Sequence, residues 1–360
     1  MRNPRTARAS SAVAAVWALI AVACTSGGGP GTTPATPPPT SASTTTSAPP
    51  TTTTTTRPPP ELSAEAEAYL REALDLMRDW SINRELVDWD ALEASAFRRA
   101  DGAETAADTY PAIETAVRSL RDDHSFFLTP SETRLLFDGE ARFDAPIVEL
   151  RSDGLGYVSV GMFRGNIGEQ ADAYAHALAT AITGLAPRAC GWIVDLRENI
   201  GGNMWPMVAG LAPLLGGEGE IGSFTYPDGM VEPWRLEDGI AWWDEEPMTS
   251  YEVQIPEEQP PVAVLISRQT ASSGEATAVA FRGRPDTRSF GQETAGLTTS
   301  NEPLYLSDGA LMALTMSVFT DRTGHAFGQG LRIQPDQPVD GDPVDPAAEW
   351  LHDQSACTDS

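Results

Sequence analysis

The spacing of apolar side chains divides the chain into a polar head, a short helical stretch and a longer region of alternating strands and helices. From residue 61 to about residue 120, apolar residues recur every three or four positions, which is typical of amphipathic helices. Ser63 is a suitable N-cap for the first helix, and Glu65 and Glu67 suit the positive end of its dipole. Two further helices are predicted at residues 89–97 and 110–120.

After Pro130 the pattern changes to short apolar runs that are separated by helical segments. Strands are predicted at residues 146–150, 156–160, 192–196, 261–266 and 287–290. Helices are predicted at residues 170–185, 204–215, 273–281 and 345–352, and a β excursion at residues 219–255. Strands that alternate with helices indicate an α/β core with parallel pairing.

The first 60 residues have no such pattern and are predicted to direct and tether the protein. Residues 1–23 join an arginine-containing start to an apolar run that is short for a membrane span, as in a signal peptide. Small residues before Cys24 resemble the bacterial lipobox, whose cysteine is acylated, although Ala21 replaces the usual leucine; an ordinary secretory signal is the alternative. Residues 24–60 are rich in Thr and Pro and form the predicted lipidated linker. The predicted location is the extracytoplasmic face of the cell membrane.

Composition narrows the function classes. The formal net charge is −27, and every basic residue is an arginine. So acidic a chain repels phosphate backbones, which argues against nucleic-acid binding. Hydrophobic residues make up 41% of the chain, enough for a large core. With Cys24 acylated, Cys190 and Cys357 remain in an oxidising compartment, where they either pair or stay free.

Two segments place glycine or serine at the start of a helix. Residues 194–202, V-D-L-R-E-N-I-G-G, run from a strand into a turn at Gly201 and Gly202, which offers N–H groups to an oxyanion; a plain tight turn is the alternative. Residues 270–275, T-A-S-S-G-E, place Ser272 and Ser273 after an apolar strand; an N-cap serine is the alternative.

A third segment contains the best candidate for a general base. His124 lies in R-D-D-H-S-F-F, residues 121–127, between acids and aromatics at the end of the helical stretch. A histidine that merely ends a helix is the alternative. Of the other histidines, His176 and His352 have no promising context, and His325 is the reserve candidate.

Taken in order, these three segments resemble the tail-specific (C-terminal-processing) protease family. G-Q-E-T-A-G at residues 291–296 and Q-P-D at residues 334–336 are similar to later signatures of that family. The resemblance spans about residues 61–350 and implies a ClpP/crotonase-like α/β core, residues 131–360, behind an N-terminal helical region, residues 61–130. The interval between Pro130 and Gly156 is too short for the PDZ domain that many members carry, so no PDZ domain is expected.

The resemblance implies a serine peptidase, and the composition selects its branch. The best-known branch activates the serine with a lysine, which this chain lacks. A PDZ-less, tricorn-like branch uses a histidine from the segment that here contains His124. We therefore expect His124 to remove the proton of Ser272, which is preferred over Ser273 because it stands three residues before Glu275, as in the family motif. The backbone N–H groups of Ser273 and of Gly201 or Gly202 are expected to bind the oxyanion.

The acid that orients His124 is left open. Tricorn-like enzymes carry a glutamate shortly before the Q-P-D segment, but residues 324–330 contain no acid. Asp123, Glu275 and Glu293 are the candidates. A histidine base with an ordinary pKa predicts that activity falls as the pH drops through roughly 6.5.

The sequence thus predicts an exported serine-type endopeptidase, a hydrolase acting on protein or peptide substrates. No metal or organic cofactor is expected, because no Cys/His cluster has ligand spacing. The alternative is a non-catalytic protein on the same fold that binds an apolar ligand or a peptide, with which nine tryptophans are compatible. The substrate's identity and the oligomeric state are not predicted.

Overall fold

The computed structural model describes residues 16–17, 61–137, 140–216, 219–252, 255–256 and 259–358. The predictions for the signal peptide, for acylation of Cys24 and for the linker therefore lie outside the described residues, except at Val16–Trp17.

The described helices and strands follow in chain order. The α-helices are α1 (Ala64–Trp80), α2 (Trp89–Arg99), α3 (Tyr110–Arg118), α4 (Pro130–Phe137), α5 (Glu169–Leu185), α6 (Met204–Gly210), α7 (Ala212–Leu215), α8 (Ser273–Phe281), α9 (Val344–His352) and α10 (Ser355–Thr358). The strands are β1 (Val16–Trp17), β2 (Phe126–Leu128), β3 (Arg142–Phe143), β4 (Ile147–Leu150), β5 (Gly156–Ser159), β6 (Phe163–Asn166), β7 (Trp192–Asp195), β8 (Gly219–Thr225), β9 (Val231–Glu237), β10 (Ile240–Trp243), β11 (Glu246–Pro247), β12 (Val262–Ile266), β13 (Thr287–Gly291), β14 (Thr299–Tyr305), β15 (Leu311–Asp321) and β16 (Gln337–Pro338).

The helical region forms as predicted, and it shares a core with a β hairpin from the second half of the chain. The Ser63 hydroxyl accepts a hydrogen bond from the Ala66 N–H at 3.0 Å, which confirms the N-cap. The buried stripe of α1 packs with α2 and α3 against Met312, Leu314 and Met316 of β15. The segment that follows α3 is therefore held against this hairpin. The predicted domain boundary near residue 130 stays a prediction.

A six-stranded sheet forms the α/β core, in the order β16-β13-β12-β7-β5-β4. All its pairings are parallel except that of β4 with β5, which confirms the expected α/β class with an N-terminal helical region. Alternate side chains enter two cores: Trp192, Val194 and Val264 lie in the core that also contains buried residues of α5, α6 and α8, whereas Ile193 and Leu265 pack with Leu351 of α9. Successive side chains of a strand point to opposite faces, so both faces of this sheet are covered.

An antiparallel sheet lies beside this core, in the order β11-β10-β9-β8-β15-β14, with β2 added to β15. Strands β8 to β11 correspond to the predicted β excursion. The single helix predicted at residues 204–215 is two helices, α6 and α7, which meet at Leu211. Pro213 explains the break, because proline has no N–H for a helical hydrogen bond. A small sheet of β1, β6 and β3 completes the described strands.

The C-terminal tail is covalently joined to the parallel core. The structure pairs Cys190, just before β7, with Cys357 of α10, and their Cα atoms are 4.9 Å apart. This disulfide holds the C-terminal tail, which follows α9 in the chain, against the parallel sheet. Among the described residues, no helix is long and apolar enough to cross a membrane.

Candidate active site

Ser272 lies in a strained turn between β12 and α8. Its φ of 51° and ψ of −115° are unusual for a residue other than glycine. The Ser272 N–H donates to Oε2 of Glu275 at 2.9 Å, which ties the turn to the helix that it begins. A Cβ atom at Gly274 would lie 2.4 Å from the Asn199 carbonyl oxygen, so glycine lets this turn pack directly against the neighbouring loop.

The glycine turn after β7 faces the start of α8. Gly201 and Gly202 have φ values of 113° and 111°, and a Cβ atom at Gly202 would lie 1.9 Å from the Phe163 carbonyl oxygen. The Ser273 hydroxyl donates to the Gly202 carbonyl oxygen, which joins this turn to the helix start. Only glycine fits this close approach of two backbone segments.

The structure changes one part of the predicted oxyanion site. The Gly201 N–H donates to Oδ1 of Asn199 at 3.0 Å and is therefore engaged. The N–H groups of Gly202 and Ser273 have no acceptor among the described residues. Of the three predicted donors, Gly202 and Ser273 remain, on the two turns that the Ser273 hydroxyl joins.

His124 is buried in the loop between α3 and β2, with only 4% of its surface exposed. Its Nδ1 lies 2.7 Å from Oγ1 of Thr299, and its Nε2 is buried without a hydrogen-bond partner among the described residues. Burial lowers the pKa of His124 to about 3. The predicted loss of activity near pH 6.5 assumed an ordinary histidine pKa, and this environment does not support that assumption.

Backbone contacts hold the His124 loop in place. Asp122 Oδ1 accepts hydrogen bonds from the His124 N–H at 3.2 Å and from the Thr315 hydroxyl at 2.8 Å. The Asn301 side chain donates to the His124 carbonyl oxygen at 2.6 Å. Both Thr315 and Asn301 belong to the β14–β15 hairpin, so that hairpin fixes the backbone as well as the ring.

Glu275 connects the serine turn to the histidine. Its Oε2 accepts from the N–H groups of both Ser272, at 2.9 Å, and Leu297, at 2.8 Å. Thr299, which contacts the His124 ring, follows Leu297 by two residues. No hydrogen bond joins His124 Nε2 to Ser272 in this structure. Catalytic hydrogen bonds are often long or misaligned before substrate binds.

None of the predicted acids contacts the His124 ring. Asp123 is exposed, and Glu293 lies beside Gln334 and Arg332. Glu275 bonds to backbone N–H groups and to Thr294. Sequence reasoning missed Thr299, because the strand that it begins was not predicted.

The reserve base, His325, is not placed for the role. It is exposed, and its ring packs edge-on against Phe327 with centroids 4.9 Å apart. Its backbone N–H bonds to Asp321. None of its described contacts involves Ser272.

Residues 154–339 match the family model described as Peptidase family S41. The chain belongs to peptidase family S41. This membership confirms the resemblance to the tail-specific proteases that the three segments predicted.

Individual relatives of this S41 family member extend the likeness beyond the matched residues. The nisin-resistance protein of Lactococcus lactis subsp. lactis is 30% identical over 291 residues, which cover 80% of this chain and 87% of the relative. A lipoprotein structure from Streptococcus agalactiae matches with a TM-score of 0.67 and 26% identity, covering 81% of this chain and 97% of that chain. The photosystem II D1 C-terminal processing protease matches with a TM-score of 0.54 over 81% of this chain and 98% of that chain; at 16% identity it shows the shared fold alone.

The tryptophans of this S41 family member do not favour the alternative of an apolar-ligand protein. Four of them, Trp192, Trp205, Trp234 and Trp243, are buried side chains of the main hydrophobic core. The Trp205 ring packs against Trp243 with centroids 6.2 Å apart. These side chains stabilise the junction of the sheets, and they are already covered by other core residues.

Proposed function

We propose that this S41 family member is an exported serine endopeptidase, with Ser272 as nucleophile and His124 as general base. The observation that carries the proposal is the strained Ser272 at a helix start that the Ser273 hydroxyl joins to the Gly202 turn, where the Gly202 and Ser273 N–H groups have no acceptor among the described residues. Such a constellation suits attack on a carbonyl carbon and stabilisation of the oxyanion that follows.

In the proposed reaction, Ser272 Oγ bonds to the carbonyl carbon of the scissile peptide while its proton passes to His124 Nε2. The carbonyl oxygen becomes an oxyanion, which the Gly202 and Ser273 N–H groups stabilise. The carbon–nitrogen bond then breaks, and His124 gives its proton to the leaving amine. A water molecule attacks the resulting ester, again losing a proton to His124, and the peptide acid leaves as Ser272 recovers its hydrogen.

The surroundings of His124 keep its ring neutral, the form that a base must have. Burial favours the neutral ring, which alone has a lone pair for a proton. When Nδ1–H donates to Thr299 Oγ1, that lone pair lies on Nε2, the atom without a described partner. The Thr299 hydroxyl thus orients the ring, a part that an acid has in other serine peptidases.

Kinetics of purified variants test the pair. Ser272→Ala and His124→Ala should each lower kcat by about three orders of magnitude or more, and the double variant should be little worse than either, because the two groups act as a unit. His325→Ala is the matched control and should keep near wild-type activity. Full activity of either single variant would overturn the assignment.

We further propose that Cys24 is the acylated first residue of the mature protein, which would place the peptidase at the extracytoplasmic face of the membrane. The support is the signal-like segment before Cys24, together with the S. agalactiae structure, which is described as a lipoprotein. Cys24→Ala should move the protein from the membrane fraction into the medium. Unchanged membrane association of that variant would contradict the anchor.

Peptide antibiotics are the first substrates to test, because the L. lactis relative is named for nisin resistance. We propose that this chain cleaves nisin or a similar peptide. Mass spectrometry of nisin incubated with the wild type should show fragments that are absent with Ser272→Ala. If nisin stays intact while an unrelated peptide is cut in a Ser272-dependent manner, the substrate proposal fails and the peptidase proposal stands.

A further inference from the structure

We propose that Glu275 is a positioning residue whose ionised carboxylate holds both the nucleophile turn and the strand that orients the base. This inference rests on the proposed Ser272–His124 mechanism. It assigns to Glu275 a role that does not involve contact with the histidine ring or with substrate.

Four hydrogen-bond donors converge on this one carboxylate. Oε2 accepts from the N–H groups of Ser272 and Leu297, and Oε1 accepts from the Gly296 N–H at 2.9 Å and from the Thr294 hydroxyl. Glu275 itself is 0% exposed. An ionised carboxylate only accepts hydrogen bonds, so this form alone satisfies all four donors together.

On one side, the carboxylate stabilises the unusual backbone of Ser272. A serine with φ of 51° persists only where its surroundings hold it there. The Ser272 N–H bond to Oε2 is a direct restraint on that conformation. Loss of the acceptor would let the turn relax and would shift Oγ of Ser272.

On the other side, the carboxylate fixes the start of β14. Gly296 and Leu297 donate to Glu275, and the chain then reaches Thr299, whose hydroxyl contacts His124 Nδ1. The same segment is also joined to the serine turn by the Ala295 N–H, which donates to the Thr270 carbonyl oxygen at 2.9 Å. Glu275 is thus a short mechanical link between the parallel sheet that carries Ser272 and the antiparallel sheet that carries Thr299.

The charge state of this link is sensitive to pH. Burial raises the pKa of Glu275 to about 7, although its four hydrogen bonds favour the ionised form. Of the elements that pack most closely on α8, which are α6, β8, β12 and β15, the titratable side chains are Glu220 and Asp321. Asp321 lies 4.0 Å from Arg282, and neither acid bonds to Glu275. The segment that donates to the carboxylate follows Glu293, which pairs with Arg332 at 3.7 Å. A proton taken up by the carboxylate must displace one of the four donors, which loosens the site.

The test compares pH profiles of kcat/KM for the full-length wild type and three variants. Wild-type activity should fall below about pH 7. Glu275→Gln should lower kcat by about 10- to 100-fold and change KM less than about threefold, since misplaced groups slow chemistry more than binding. The fall in activity below about pH 7 should be absent in this variant. Glu293→Gln, a glutamate on the neighbouring loop, is the matched control and should change neither value.

Thr294→Val serves as a second variant in case Glu275→Gln does not fold. It removes a donor that favours the ionised carboxylate, so the acid limb should move to higher pH. If Glu275 had only a structural role, these variants would be less stable, but the acid limb of their activity profile would stay at the wild-type pH. The inference would be overturned if Glu275→Gln kept the wild-type kcat, or if the acid limb of Thr294→Val stayed at the wild-type pH. If Ser272→Ala is inactive in the same experiment, the peptidase assignment still stands. An inactive wild type would overturn both.

Discussion

His124 Nδ1 lies 2.7 Å from the Oγ1 atom of Thr299, so a neutral hydroxyl contacts the ring nitrogen that faces an acid in the Ser-His-Asp triad. A hydroxyl can fix the orientation of the ring, but it brings no negative charge to stabilise an imidazolium. Burial without a charged partner agrees with the lowered pKa of His124. Histidine orientation, more than charge, is therefore what Thr299 contributes to the proposed mechanism.

The Thr299 hydroxyl can be tested with two substitutions of similar size. Thr299→Val keeps the shape of the side chain but removes the hydroxyl, and should lower kcat by about 10- to 100-fold because the ring is no longer held. Thr299→Ser keeps the hydroxyl and should retain activity within about threefold of the wild type. Steady-state kinetics on one peptide substrate give both values. Equal activity of the valine and serine variants would show that the contact has no catalytic role.

The buried His124 should make the folded protein sensitive to acid. Its folded pKa of about 3 lies below its ordinary value of 6.5, so between these values the unfolded chain binds a proton that the folded chain does not. The free energy of unfolding should therefore fall as the pH drops, by about 2 kcal/mol from this group between pH 6.5 and pH 5.

Comparison with His124→Asn isolates this contribution. Glu275 has the opposite sign, because its folded pKa is raised to about 7 and its folded form binds the extra proton; its stabilising effect is lost as the pH rises through 7. Glu275 is present in both proteins and cancels in the difference. Denaturant unfolding should show that wild type loses stability more steeply than His124→Asn on acidification. Parallel pH curves would contradict the assigned pKa.

Close packing at Gly202 predicts a large cost for one added methyl group. In Gly202→Ala the new Cβ would lie 1.9 Å from the Phe163 carbonyl oxygen, so the turn must shift and its N–H must move. Gly168→Ala is a matched control, since Gly168 also has a positive φ, 130°, but its Cβ would meet nothing within 4 Å. Peptidase activity should fall by more than about 100-fold in Gly202→Ala and stay near the wild-type value in Gly168→Ala. Similar losses of activity in both variants would show that backbone strain alone causes the effect.

Much of the core and of the serine segment was predictable because local patterns fix them. Strands β7 and β12 are short, wholly buried runs that are apolar apart from Asp195, and α8 directly follows the serine turn. Each of these patterns lies in contiguous residues, so it can be recognised without knowledge of the tertiary structure.

The hairpin β14–β15 was not predicted. Strand β15, Leu311–Asp321, is buried along almost its whole length, and its Met312, Leu314 and Met316 side chains pack on the helical region. Thr299 was missed because β14, T-S-N-E-P-L-Y, has few apolar residues and contains a proline, so it has no strand pattern. The engagement of Gly201 depends on the orientation of the Asn199 side chain, which no sequence pattern reports.

The disulfide gives a prediction that does not depend on catalysis. Cys190 and Cys357 are separated by 167 residues, and the chain-entropy model gives about 5 kcal/mol of stabilisation for a loop of this length. Cys190→Ala and Cys357→Ala should therefore lower the free energy of unfolding by similar amounts, and reductant should lower the wild-type value without affecting either variant. Unequal losses, or no effect of reductant, would indicate that the thiols act separately.

Labelling with a fluorophosphonate, followed by intact-mass and peptide mapping, tests the central claim most directly. The reagent bonds covalently only to an activated serine hydroxyl, and it requires no knowledge of the substrate. The account predicts one adduct, on Ser272, in the wild type and in Ser273→Ala, whose hydroxyl donates to the Gly202 carbonyl oxygen. It predicts no adduct in Ser272→Ala and much slower labelling in His124→Ala. An adduct on Ser273, or a wild type that stays unlabelled while folded, would contradict the assignment of Ser272 and His124.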